Sequence, residues 1–211
     1  MMNLLQLNDG QIKLRSPFGN SISNIATTEE YTRYLEIGTW NGGGSTVCFV
    51  DGFLKRKDTN KVTLLSLEID KDRSISSRNR WKNLNHIVNI QHSHILDKIP
   101  TIDEMRDIFG EDINRDWLKA DLDNLSLASY INVIEFNPQV VLLDGSEYLT
   151  YFEYKQLLSC PALDIIMMDD INVAKCKRIV SELDDNPDWR VIIKNTTLRN
   201  GYAIYKRVKH D

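Results

Sequence analysis

Residues Tyr34 to Ser45 constrain the fold of this chain more than any other stretch. Tyr34, Leu35, Glu36 and Ile37 run into Gly38 and then into Gly42, Gly43 and Gly44, and a helix-compatible segment opens at Ser45. A short buried strand that delivers the chain through a glycine-rich turn to a helix start forms a ligand-binding corner. Glycine lets the backbone lie against a ligand, and the first helical N–H groups face the same space. Spacing excludes two kinds of ligand. After Gly38 the next glycine is Gly42, so the dinucleotide pattern G-x-G-x-x-G is missing its first G-x-G. A phosphate-gripping loop needs Lys before its final Ser or Thr, and here Gly44 precedes Ser45 and Thr46. What remains is E-x-G-x-x-x-G, from Glu36 to Gly42.

Further apolar runs alternate with helical stretches. Strands are expected at Tyr34–Ile37, Val62–Ile69, Ile87–Gln91, Val140–Leu143 and Ile165–Met168, and helices at Ser45–Lys55, Arg73–Asn83, Tyr148–Ser159 and Val173–Leu183. The strands are nearly continuous in apolar residues, as when helices cover both faces of a parallel sheet. The tail differs. Trp189–Lys194 and Tyr202–Val208 read as strands joined by only seven residues, too few for a parallel crossover, so they form a hairpin. The expected architecture is a Rossmann-like, doubly wound α/β domain over residues 31–211, with a seven-stranded sheet. Residues 1–30 form a weakly helical segment expected to cover the ligand mouth or to contact another copy of the chain. The acidic segment Thr101–Phe136 is either a crossover helix with a long surface loop or a substrate-shaping element.

Composition removes several functions. At 211 residues the chain is long enough for one well-buried domain. A net charge of −4 gives no support to nucleic-acid binding, which needs a basic surface. No apolar run approaches the roughly 20 residues of a membrane helix, and the first residues lack the basic region of a signal peptide. Cys48, Cys160 and Cys176 lack C-x-x-C spacing, and read as buried free thiols in a reducing cytoplasm.

In an open parallel sheet, ligands gather beyond the C-terminal strand ends. The first end offers Glu36, Gly38, Thr39, Trp40, Asn41, Gly42 and, at the helix start, Ser45. The second ends in Glu68 and Asp70, and a carboxylate there can accept hydrogen bonds from a ligand's hydroxyls. A turn after the third holds His92, Ser93 and His94; an H-x-H pair in a turn is weak support for a metal. The fourth strand ends in Asp144, Gly145, Ser146 and Glu147, and the fifth in Asp169 and Asp170. Three carboxylates brought together would repel one another unless a cation neutralised them, and oxygen ligands suit Mg²⁺, Mn²⁺ or Ca²⁺. Each acid also has a plainer reading, since Asp-Gly is a common turn and Asp170 could cap a helix.

From Glu36 to Gly42, and in its terminal hairpin, the chain resembles the class I S-adenosylmethionine (SAM) methyltransferases, over roughly Tyr31 to Lys209. That resemblance implies SAM as cofactor. The glycine turn would hold its amino-acid end, Glu68 its ribose, and Ser93 and His94 would border its adenine. The strand-end acids are similar to those of the metal-dependent O-methyltransferases, including the catechol type and the sugar- and cephalosporin-related branch. The resemblance implies Mg²⁺ or Mn²⁺ on Asp144, Asp169 and Asp170, with Asp144 also beside the cofactor. The run from Asp144 to Glu147 is closest to the Asp-Gly-Ser-His of the sugar-modifying branch, where His is the proposed base. Glu147 stands in its place, so Glu147 and Asp144 are the candidate catalytic residues. The expected partner is a small-molecule or glycan hydroxyl. Trp40, Trp117, Tyr148, Tyr151 and Phe152 are candidates for stacking on it. A metal-independent methyltransferase and a non-catalytic, methyltransferase-like binding module are the alternatives.

Overall fold

A computed structural model describes residues 4–111 and 113–209. The strands are β1 (Arg33–Ile37), β2 (Thr63–Glu68), β3 (Val88–His94), β4 (Ser129–Tyr130), β5 (Val140–Leu143), β6 (Ile165–Asp169), β7 (Trp189–Asn195) and β8 (Tyr202–Arg207). They form one sheet in the order β4-β3-β2-β1-β5-β6-β8-β7, with β1 to β6 parallel and β8 antiparallel to both neighbours. The sheet has eight strands, not the seven expected. The extra one, β4, is two exposed residues paired with Ser93 and His94, too short to carry an apolar pattern. β3 also runs to His94, so Ser93 and His94 lie on a strand rather than in the expected turn.

The helices are α1 (Pro17–Thr27), α2 (Ser45–Phe53), α3 (Lys71–Trp81), α4 (Ile102–Phe109), α5 (Arg115–Leu127), α6 (Val133–Phe136), α7 (Thr150–Leu157) and α8 (Ala174–Asp184). Strand alternation sorts the core into two layers. Tyr34, Leu64, Val140 and Leu142 face one side, with Phe49 and Phe53 of α2 and Trp81 of α3. Leu35, Leu65, Val141 and Leu143 face the other, with Tyr154 and Leu157 of α7 and Ile179 and Leu183 of α8. This double cover is why β5 is apolar on both faces and the other central strands nearly so, with Glu36 of β1 and Ser66 of β2 among the buried exceptions.

Local chemistry sets the helix starts. Ser16 caps α1 ahead of Pro17, Asp70 accepts from the Arg73 N–H at 2.9 Å, and Thr101 and Glu104 make a capping box on α4; each cap contributes about 1 kcal/mol. The acidic segment between β3 and β5 is three helices and β4 rather than one crossover helix and a loop.

From β1 the chain winds outward through β2, β3 and β4, then returns to β5 on the other side of β1. That reversal opens a crevice at the C-terminal ends of β1 and β5, where ligands of such sheets bind.

Candidate active site

A cavity of about 270 Å³ occupies that crevice. Its first wall is the turn after β1. Gly38 has φ +92°, and a Cβ there would lie 2.1 Å from the Asp144 carbonyl oxygen. Gly42 has φ +73°, and its carbonyl accepts from the Trp81 indole N–H at 2.8 Å. Only glycine satisfies both demands at low cost. Gly38, Thr39, Trp40 and Ser45 line the cavity, whereas Asn41 and Gly42 shape the turn from behind it. The Asn41 Oδ1 accepts from the Gly43 N–H at 2.8 Å.

Glu36 is fully buried and does not reach the cavity wall. Its Oε2 accepts from Thr46 Oγ1 at 2.8 Å and from Ser66 Oγ at 2.5 Å, fastening β1, β2 and α2 together. Burial pushes its pKa up to about 6, against the opposing hydroxyls of Ser45, Ser66 and Thr46. Its Oε1 has no hydrogen-bond partner.

At the end of β2, Glu68 does line the cavity. It accepts from the Trp40 N–H at 2.7 Å and from the Asp70 N–H at 2.9 Å, so the acid joins the first two strand ends. Burial raises its pKa, partly offset by these two backbone donors. Ser93 lines the cavity; His94 does not, and packs beside the Tyr130 ring. The His92 ring nitrogen Nε2 lies 2.9 Å from the Ile69 carbonyl oxygen, and no metal set includes either histidine among the described residues.

The opposite wall holds the acids of β5 and β6. Candidate ligand oxygens of Asp144, Asp169 and Asp170 lie within 4.8 Å of one another, the cluster expected from the strand ends. Of the three, Asp144 lines the cavity. A residue that sequence reading missed stands among them. The Lys175 Nζ, on the first turn of α8, donates to Asp144 Oδ1 at 3.0 Å and to Asp170 Oδ2 at 2.8 Å. Arg199 Nη2 lies 3.4 Å from Asp169 Oδ2, and Asn200 donates to Asp170 Oδ1 at 3.0 Å. Asp169 Oδ2 accepts no hydrogen bond. Burial, and then the charges of Asp144 and Asp170, push the Asp169 carboxyl up to about 7. Burial also pushes Asp170 up, but Lys175 and Asn200 more than offset it and hold it below the usual range.

Three carboxylates this close are the right donors for a hard dication, and Asp169 Oδ2 accepts no hydrogen bond, although the Arg199 guanidinium lies 3.4 Å from it. The ammonium of Lys175 already lies between the other two. With Lys175 in this position the set does not fit a dication as well.

Glu147 does not line the cavity. Its Oε1 accepts from the Lys175 backbone N–H at 3.2 Å, capping a helix whose own N-cap, Val173, has no side chain to offer. The cavity wall instead includes Glu153 of α7, and Asp121 and Asn124 of α5. Glu153 is buried, its Oε2 has no partner, and burial with the nearby Asp121 charge pushes its pKa up to about 8. Asp121 is hydrogen-bonded to Ser146 Oγ. Asp121 and Asn124, three residues apart, present one helix face, the signal that could have found them. Lys175, the second residue of α8, carries no comparable signal.

Of the five aromatic candidates, Trp40 alone is on the wall; Tyr148 and Tyr151 are buried in packing, and Trp117 is exposed. Gly10, Gln11 and Ile12 close the cavity from the N-terminal side.

The fold is shared with solved methyltransferases. An O-methyltransferase from Bacillus cereus in complex with S-adenosylhomocysteine (SAH) superposes with a TM-score of 0.60 at 14% identity, over 97% of this chain and 89% of that one. The O-methyltransferase TomG from Streptomyces achromogenes, in complex with SAM, gives 0.58 at 13% identity, over 98% and 88%. The SAH-bound Podospora anserina methyltransferase PaMTH1 gives 0.54 at 15% identity, over 90% and 78%. No family model and no curated protein matches the sequence. The chain therefore has the class I methyltransferase fold, seen in structures that hold SAM or SAH.

Proposed function

We propose that this chain is a SAM-dependent O-methyltransferase acting on a hydroxyl of a small molecule. One observation carries the reading: a single crevice joins the bare turn after β1 and Glu68 after β2 to a charged wall at β5. In that reading the turn from Gly38 to Ser45 holds the amino-acid end of SAM, Glu68 accepts the ribose hydroxyls, and Ser93 borders the adenine. SAM supplies a methyl on a sulfonium, already electrophilic, so the residues' main work is to place a nucleophile in line. Asp144, on the cavity wall at the end of β5, is the first candidate to take the acceptor's proton. Glu147 is a candidate base only if it leaves the N-terminus of α8.

A sugar or glycan acceptor is the preferred class, on the resemblance of the run from Asp144 to Glu147 to the sugar-modifying branch. Five acidic side chains on the cavity wall (Glu68, Asp70, Asp121, Asp144 and Glu153) suit a ligand rich in hydroxyl groups. A second reading keeps the divalent ion. Asp169 Oδ2, which accepts no hydrogen bond, favours it, and it requires the Lys175 ammonium to leave Asp144 and Asp170.

Calorimetry with SAM and SAH, followed by methyl-transfer assays on a sugar panel with and without chelator, tests these readings. Absence of binding to both ligands would overturn the cofactor assignment. Binding without transfer to any hydroxyl would favour the non-catalytic module.

A further inference from the structure

Lys175 holds the place among the strand-end acids that a dication would take. Its ammonium bridges Asp144 and Asp170, and its side chain is 10% exposed. The position is built rather than incidental. The Lys175 backbone is held by Glu147, Asp170 is fixed from its other oxygen by Asn200, and Arg199 leans on Asp169. An ammonium has three N–H donors. Two go to carboxylates, and the third has no acceptor among the described residues, although Lys175 and Asp144 both line the cavity. A donor left open on the cavity wall is a place for an acceptor oxygen.

We propose that Lys175 is the resident cation of this site: its ammonium, rather than a divalent ion, receives the acceptor oxygen and holds it for transfer. The acceptor role rests on the methyl-transfer reading; occupation of the acid cluster does not. The step balances without a metal. The oxygen–carbon bond forms as the sulfur–carbon bond breaks, the electron pair of the latter stays on sulfur, and the hydroxyl proton passes to Asp144. Lys175 keeps its protons, orients the oxygen and stabilises the negative charge left on it as its proton departs to Asp144, until the new bond to carbon takes up that electron pair.

Manganese(II) binding, followed by electron paramagnetic resonance on the full chain with and without SAH, tests occupation directly. Wild type is expected to bind no Mn²⁺ at millimolar concentration. Lys175→Met is expected to bind it, and the added change Asp169→Asn to abolish that binding; Lys175→Gln replaces Lys175→Met if the latter does not fold. Wild-type Mn²⁺ binding that Asp169→Asn removes would overturn the proposal. So would a folded, SAH-binding Lys175→Met protein that takes up no Mn²⁺. Failure of wild type to bind SAH would sink the methyl-transfer reading while leaving the manganese result standing, so the two failures are distinguishable. With an accepted substrate, Lys175→Met should lose about 10²-fold in kcat, Lys175→Arg should recover part of it, and chelator should leave wild type unchanged. A chelator-sensitive wild type would overturn the proposal.

Discussion

The Cα of Gly38 and the carbonyl oxygen of Asp144 are so close that a methyl group on Gly38 would lie 2.1 Å from that oxygen. The glycine turn after β1 and the strand end bearing the acid are in backbone contact, reinforced by the Asp144 N–H donating to the Ile37 carbonyl at 2.9 Å. Gly38→Ala must move one of two backbones and also hold φ +92° with a side chain. It should cost at least about 2 kcal/mol of stability and weaken SAH binding. Urea denaturation and calorimetry check this; an unchanged midpoint with unchanged affinity would contradict it.

Glu68 is predicted to serve cofactor and scaffold together. Its two oxygens accept from the backbone of Trp40 and Asp70, and a further lone pair on each is free for ribose hydroxyls. Glu68→Ala should raise the Kd for SAH by roughly 10- to 100-fold, the worth of losing hydrogen bonds to a charged acceptor. Adenosine, which keeps the ribose, should lose affinity by a similar factor, whereas 2′,3′-dideoxyadenosine should be nearly indifferent to the substitution. Equal losses for both nucleosides would place Glu68 outside the ribose contact.

Glu153 should make stability fall as pH rises. Its folded pKa is lifted from 4.5 to about 8 by burial and then by Asp121, so between those values the folded state keeps a proton that the unfolded chain has released. The slope of stability with pH is then negative. The stabilisation is complete below the unfolded pKa and is lost as pH climbs through about 8. Glu153→Gln, which mimics the protonated form, should flatten the decline of Tm across that window. A decline identical to wild type would show that Glu153 is ionised throughout.

The segment over the cavity is held by contacts that can be cut singly. The Gly10 N–H donates to the Gly43 carbonyl at 2.7 Å, and Arg80 reaches both oxygens of Asp9 at 2.7 and 2.9 Å and the Leu7 carbonyl at 2.9 Å. Asp9 is half exposed, so the ion pair itself adds less than about 1 kcal/mol. Arg80→Ala should leave Tm nearly unchanged while speeding SAH release severalfold, an effect that shrinks in high salt. Stopped-flow release measurements decide it, and an unaltered release rate would separate this segment from ligand exchange.

What could be read in advance follows from how each feature is encoded. The central strands announce themselves because burial on both faces leaves an unbroken apolar run, as in Val140–Leu143, and the strand-end acids stand out against such runs. β4 could not be read, since its two residues are exposed and exist as a strand only through their pairing with β3. Lys175 was invisible for a different reason. A lysine in an amphipathic helix reads as a solvated residue, and only the tertiary approach of α8 to β5 makes it an internal cation. Glu36 shows the converse: its position in the motif was legible, but its side chain turns behind the wall, toward Thr46 and Ser66, instead of into the cavity.

Helix α1 brings Phe18, Ile22 and Ala26 into the same core layer as Tyr34 and Phe53, and buried Arg56 grips the chain just beyond it through the Thr28 and Tyr31 carbonyls, each at 2.7 Å. This helix is therefore inherited with the sheet and cannot be exchanged like an accessory. Divergence that retunes access to the cavity has its free material in exposed positions such as Gln11 and Lys13, because Ile12 beside them belongs to the core and Gly10 lies against the Gly44 backbone.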